Sequence, residues 1–388
     1  MEGGVTDIGS NSFSGCSKLT SITIGNNVAI IGNQAFKGCE KLTAVYINDL
    51  SAWCNISFVN NHGWDYYNYD DEDTCYSNPL CYAHHLFLGG EEIKNLVIPN
   101  NVTSINDYAF YGCSGLTSVS IPSSVTSIGY CVFKGCTGLP TENNIRYADT
   151  FVVEASDKSQ TTYSIKQGSK FIGEDAFANC KSLASITIPE GITSIRSRAF
   201  FGCSKLSSIT IPNSLTSIKE FAFCECNSLT AVNITDLAAW CNISFVNQEG
   251  DWIDTPWYTS LYSNPLRYAH HLYINGEEVK ELVIPSTITS INAWAFEGCS
   301  MSSVTIPNSM TSIGNDAFAG CNSLIKLVVN CNSIGDWFYG MRSIKEVIIG
   351  EGVTHIGEYA FEGCSGLTSV TIPSSVSSID AFAFSGCI

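Results

Sequence analysis

The sequence predicts a repeat solenoid, a stack of similar coils around one continuous core. Three observations carry the prediction. A cassette recurs as VTDIGSNSFSGCSKLTSITI (5–24), VTSIGYCVFKGC (125–136), ITSIRSRAFFGCSKLSSITIP (192–212) and VTHIGEYAFEGCSGLTSVTIP (353–373). Its cysteines fall 23 residues apart in each run, at Cys16 and Cys39, Cys113 and Cys136, Cys180, Cys203 and Cys226, and Cys364 and Cys387, with Cys299 and Cys321 one residue closer. Each unit ends in alternating apolar and hydroxyl residues. A fixed period in this range means supersecondary units that bury their apolar faces only against one another.

Within one unit, L-T-S-V-T-I-P reads as a strand. Leu367, Val370 and Ile372 point inward while Thr368, Ser369 and Thr371 point outward, the period-two signal that β-branched residues favour. The proline that follows, as at Pro122, Pro212 and Pro373, has no amide hydrogen for a ladder and ends the strand. V-T-S-I-G gives a second, shorter extended piece. A short helical or 3₁₀ turn is then expected to carry A-F and to bury phenylalanines such as Phe36, Phe110, Phe200, Phe318 and Phe361.

A duplication sits above the repeat. Residues 42–106 recur at 229–292, and each copy interrupts the coils, with inserts over about 48–94 and about 235–280. D-L-A-A-W-C predicts a short helix capped by Asp49 or Asp236. H-L-Y-I-N-G-E-E-V predicts a hairpin turned at Asn275-Gly276, with Gly89-Gly90 in the first copy. Irregular coils are expected at about 139–173 and 330–341, the latter with Asp336-Trp337-Phe338 in place of A-x-F. The whole chain, 1–388, thus reads as a single solenoid. It opens and closes inside a repeat, which reads as a piece of a longer protein with its export signal absent from this sequence.

Composition narrows the function classes. Thirty-six acidic against 19 basic residues give a net charge of −17, so no electrostatic footprint for nucleic acid exists and an anionic membrane is disfavoured. No apolar run approaches the ~18 residues of a membrane-spanning helix. Eleven of the 18 cysteines occupy one slot, after A-F-x-G. Stacked thiols are the reading there, since parallel side-chain vectors suit a disulfide poorly.

The unit A-F-x-G-C-S-x-L-T-S-V-T-I-P-x-S-V-T-S-I-G resembles the BspA-like class of leucine-rich repeat, along nearly the whole chain. The N-P-L-x-Y-A and L-x-I-N-G-E-E-V segments resemble interruptions found among bacterial members. The resemblance implies a leucine-rich-repeat-like, curved, right-handed β-rich solenoid with its long strands on the concave face. It further implies a bacterial or protist cell-surface protein associated with adhesion, and no catalytic motif.

Candidate binding positions follow where the pattern breaks. The outward strand residues are elsewhere mostly Ser and Thr, a hydroxyl array for a glycan or extended peptide, or simply soluble residues on an exposed sheet. In 324–329 the outward set becomes Ile325, Lys326 and Val328; in 344–349 it becomes Lys345, Glu346 and Ile348. Apolar residues facing solvent on neighbouring strands form a patch that a lone domain rarely keeps. The adjacent Trp337, Phe338 and Tyr339 are expected to extend it. Loops 61–75 and 248–261 add Trp64, Tyr66, Tyr67, Trp252, Trp257 and Tyr258, large rigid contact groups on loops. Trp53 and Trp240 occur in both copies and are expected to form a small core within each insert. Asp65 and the run from Asp70 to Asp73 are oxygen ligands without EF-hand spacing, a solvated loop first and a calcium site second. Cys75 and Cys81, replaced together by Leu261 and Arg267 in the second copy, hint at a local disulfide. His84-His85 and His270-His271 read as structural, since neighbours on a strand face opposite ways.

The chain is therefore expected to be a non-enzymatic, surface-exposed interaction module, using the concave face and insert loops. Its partner would be an extracellular or cell-surface protein or a glycan, with no cofactor, no metal, no nucleic acid, no membrane insertion and a monomeric state. A structural spacer presenting another domain, or a glycan-binding accessory module, are the alternatives.

Overall fold

A computed structural model describes residues 4–60, 76–245 and 263–387. The chain divides into two compact units, Met1–Ser156 and Asp157–Ile388. Each is a β-solenoid built from the same coil.

In the first unit, Ser21–Thr23, Ala44–Ile47 and Leu86–Leu88 run parallel, with Ser21 opposite Ala44 and Val45 opposite Leu86. The second extended piece of each coil forms two-residue strands, Asp7–Ile8, Ile30–Ile31 and Ser57–Phe58, also parallel. Asn95–Val97 pairs with Ser118–Ser120. The unit ends in antiparallel strands Thr141–Glu142, Ile145–Ala148 and Phe151–Ala155, the irregular coil expected there.

In the second unit, Glu281–Val283, Ser303–Ile306, Lys326–Val329, Glu346–Ile349 and Ser369–Thr371 form a five-stranded parallel sheet. Ser208–Thr210, Ala231–Ile234 and Leu272–Ile274 form another, closed by the antiparallel Glu277–Glu278. Phe171–Ile172, Ser194–Ile195, Ser217–Ile218 and Ser244–Phe245 carry the short ladder.

Three ladders of identical residues tie coil to coil. Phenylalanines stack with near-parallel rings, Phe177 to Phe200 at 5.3 Å and 3° and Phe200 to Phe223 at 5.2 Å and 11°. Cysteine thiols form the second ladder. Cys203 Sγ donates to the carbonyl of Phe177 one coil back at 3.1 Å, and Cys226 does the same to Phe200 at 3.2 Å. The slot therefore suits a buried small donor better than alanine, which would leave that carbonyl without the bond. Threonines make the third: Thr117 Oγ1 donates to the Lys94 carbonyl at 3.1 Å and Thr368 to Lys345 at 3.1 Å. Part of the outward hydroxyl array is thus already committed to the neighbouring coil.

The A-F segment is a run of turns rather than a regular helix. The residue before the alanine is left-handed in coil after coil, for example Gln34 at φ 55°, Arg198 at 58° and Trp294 at 59°, and that conformation stops helix propagation. The glycine before cysteine is likewise left-handed. Gly135, at φ 78°, lies over Gly112, and a Cβ on it would come within 3.2 Å of the Gly112 Cα. Both the dihedral and the close approach require glycine there.

Regular helices among the described residues lie in the inserts: α1 (Leu50–Cys54), α2 (Leu80–Ala83), α3 (Leu237–Cys241) and α4 (Leu266–Ala269). Asp49 and Asp236 cap α1 and α3 as expected, the Asp49 carboxylate accepting from the Ser51 amide at 2.8 Å and Asp236 from Ala238 at 2.7 Å. The hairpins turn at Gly89-Gly90 and Asn275-Gly276, with φ positive at both residues of each turn.

Candidate functional site

The inserts are joined to the coils by side chains that take over main-chain bonds. At an ordinary junction the phenylalanine amide donates to the carbonyl of the next coil's alanine slot, as from Phe177 to Ala199 at 2.7 Å. The Ala109 carbonyl instead accepts from the Trp53 indole at 2.8 Å, and the Tyr108 carbonyl from Asn78 Nδ2 at 2.7 Å. The Gly38 amide donates to the Tyr82 hydroxyl at 2.9 Å, and His84 Nδ1 meets the Gly112 carbonyl at 2.8 Å. The second insert repeats the scheme. Trp240 donates to Ala295 at 2.9 Å, Asn264 to Trp294 at 2.6 Å and Glu225 to Tyr268 at 3.2 Å, while His270 meets Gly298 at 2.9 Å.

This arrangement revises two expectations. Trp53 and Trp240 are buried in the coil stack, against Phe58 and Phe245 and bonded to the following coil, rather than enclosed in a separate insert core. His84 and His270 are left-handed helix caps, at φ 60° and 59°, not strand residues. Their neighbours His85 and His271 bond Glu92 and Glu278 at 2.6 and 2.7 Å. All four serve the structure. Asn264 is wholly buried, so Asn264→Ala should lower stability by about 1–3 kcal/mol by taking the side-chain partner from the Trp294 carbonyl and the Leu266 amide. An unchanged denaturation midpoint would refute that role.

The strand-face candidates do come together. Register places Lys326 beside Glu346 and Val328 beside Ile348, and Lys326 Nζ lies 3.2 Å from the Glu346 carboxylate. This pair is half exposed and contributes little to stability. The outward column runs Val283, Thr305, Val328, Ile348, Thr371, so Val283, 65% exposed, adds an apolar residue to the column, separated from Val328 by Thr305. The sequence reading missed it, although a valine in that outward slot was visible once every coil was placed in register. In the neighbouring column Ile325, 45% exposed, follows Ser302 and precedes Lys345 and Thr368. Ser302 and Thr368 donate hydroxyl bonds to the preceding coil; Ile325 and Lys345 give those bonds up.

Trp337 and Tyr339 lie elsewhere. They belong to the turn before the strand Glu346–Ile349 and line a depression of about 250 Å³ with Asp316, Asn322, Asp336 and Arg342. No residue of the apolar column lines it. Trp64, Tyr66, Tyr67, Trp252, Trp257, Tyr258, the acidic run and Cys75 fall outside the described residues.

The buried thiols are electrostatically quiet. Burial pushes Cys54, Cys113, Cys226, Cys241 and Cys364 up to about 12, which favours the protonated thiol at neutral pH. Among the described residues no group of three or more His, Cys, Asp or Glu side chains is placed to hold a metal ion. No helix among them is long and apolar enough to cross a membrane.

The family model described as BspA type leucine rich repeat region matches residues 1–69, 83–151, 155–248 and 269–388 in six copies. The chain belongs to the BspA-type leucine-rich-repeat family. Similar solved structures include a leucine rich cell surface protein from Faecalibacterium prausnitzii, 26% identical, with 95% of this chain and 86% of that one covered and a TM-score of 0.39. A leucine-rich repeat protein from Bacteroides ovatus is 24% identical over 99% of this chain and 80% of that one, also at 0.39. A search of curated proteins finds no match. In this BspA-type solenoid the repeat accounts for the phenylalanine, cysteine and threonine ladders, and the outward column and the turn depression depart from it.

Proposed function

We propose that the chain is a non-enzymatic interaction module that captures a macromolecular partner on the outward face of its five-stranded sheet. The observation that carries the reading is the column Val283, Val328 and Ile348 with Ile325 beside it. Beside that column, Ile325 and Lys345 stand where Ser302 and Thr368 carry hydroxyls that bond the coil before. That exchange weakens the scaffold and leaves apolar surface facing water, which a partner would cover. Lys326 and Glu346 would supply the polar rim. Family membership supports placing the partner, an extracellular or cell-surface protein, outside the cell.

The test is capture on an array of purified extracellular-matrix proteins. Ile348→Asp should lose at least tenfold in capture while the thermal transition holds. Val328→Thr with Ile348→Thr, which restores the residues of neighbouring coils, should lose capture too. Undiminished capture by both variants would rule out the strand face.

A further inference from the structure

One junction in the second unit departs from the repeat in a way that opens a site. From the isoleucine of the short strand to the stacked phenylalanine, the sequence runs Ile313-Gly314-Asn315-Asp316-Ala317-Phe318 in one coil and Ile334-Gly335-Asp336-Trp337-Phe338 in the next, one residue fewer. The residue lost is the left-handed one; neither Asp336 nor Trp337 has a positive φ, whereas Asp316 has 56° and Tyr359 has 61°. The alanine slot, fully buried at Ala317 and Ala360, holds a half-buried tryptophan here.

The main chain registers the shortening. One coil earlier, the amides of Trp294, Phe296 and Gly298 donate to Asn315, Ala317 and Ala319 at 3.2, 2.8 and 2.8 Å. Among the described residues, the corresponding amides of Asp316, Phe318 and Gly320 donate to no main-chain carbonyl. The ring stack also tilts: Phe318 and Phe338 make 25°, against 6° for Phe296 and Phe318 and 5° for Phe338 and Phe361. The three main-chain bonds present at 294–298 are thus missing at this junction, where the depression of about 250 Å³ lies.

Its lining is chemically mixed. Trp337 and Tyr339, the latter 64% exposed, contribute aromatic rings to the lining. Asp316 and Asp336 accept hydrogen bonds, Arg342 donates, and Asn322 does both. A volume below the ~300–1,000 Å³ of drug-sized sites admits a ring-sized group rather than a folded surface. Rings beside balanced donors and acceptors suit a polyhydroxylated ring, whose C–H face stacks on an aromatic and whose hydroxyls both give and accept hydrogen bonds. We infer that this depression is a carbohydrate subsite for one residue of a neutral glycan, with Trp337 as the stacking platform. It is separate from the strand face and does not depend on it.

The experiment is a glycan array of neutral oligosaccharides probed with the full chain, hits being confirmed by titration calorimetry. Trp337→Ala should weaken a hit at least tenfold, Trp337→Phe should retain most of it, and Ile348→Asp should leave it unchanged. Circular dichroism of each variant establishes that the fold persists. No neutral glycan bound at millimolar concentration, or equal binding by Trp337→Ala, overturns the inference. Loss of a protein hit rather than a glycan hit in Trp337→Ala would overturn the ligand class.

Discussion

Phe200→Ala should destabilise the second unit by ~3–5 kcal/mol, among the largest effects open to a single substitution. Phe200 is completely buried and stacked on both sides, against Phe177 at 5.3 Å and Phe223 at 5.2 Å. Its carbonyl receives the Cys226 thiol and its amide donates to Ala222 at 2.8 Å. Removing the ring therefore leaves a void between two coils whose spacing is held by main-chain ladders, and such a site collapses poorly. The same change at Phe13, only half buried and stacked on Phe36 alone, should have a markedly smaller effect. Urea denaturation followed by circular dichroism reads both. Equal losses at the two positions would show that stacking within the array does not set the magnitude.

Alkaline pH should unfold the protein cooperatively, well before arginine is affected. The thiols of Cys54, Cys113, Cys226, Cys241 and Cys364 are raised from 9.0 to about 12 by burial. A raised folded value means that the stabilisation is complete below about 9, where both states keep the proton. It is lost as pH climbs from about 9 towards about 12, because the unfolded chain releases protons that the folded chain retains. Each such thiol contributes about 1.4 kcal/mol per pH unit in that window. Several in one unit give a steep dependence. Denaturation midpoints at pH about 8, 9, 10 and 11 check it, with Cys226→Ala alongside to show a reduced slope. A flat profile from about 8 to 10, or a slope indifferent to that substitution, would mean that the ladder thiols do not govern alkaline stability.

Much of the scaffold was legible because the repeat samples the same environment many times. The Phe36, Phe110 and Phe200 slots, the strand alternation, the hairpin turns at Gly89-Gly90 and Asn275-Gly276 and the caps Asp49 and Asp236 each follow from local chemistry. The reason for cysteine was not legible. Its partner is the carbonyl of a phenylalanine 26 residues earlier, and nothing in residue spacing distinguishes a thiol that donates from one that only fills space. The inserts were half legible. Helix α1 and the hairpin were readable, but not that Asn78, Tyr82 and His84 supply bonds that a missing coil would have made. That Trp337 lines the turn depression instead of joining the apolar column likewise depends on a one-residue deficit that removes a left-handed residue.

The sequence by itself determined the coil, its period, its buried and outward positions and its family, because a periodic pattern repeated against itself leaves one packing solution. Only the tertiary structure decided which outward residues share a face and which hydroxyls remain free. Both depend on register between coils. Register is fixed by main-chain ladders and by the few side chains that replace them, and neither is written in any single repeat.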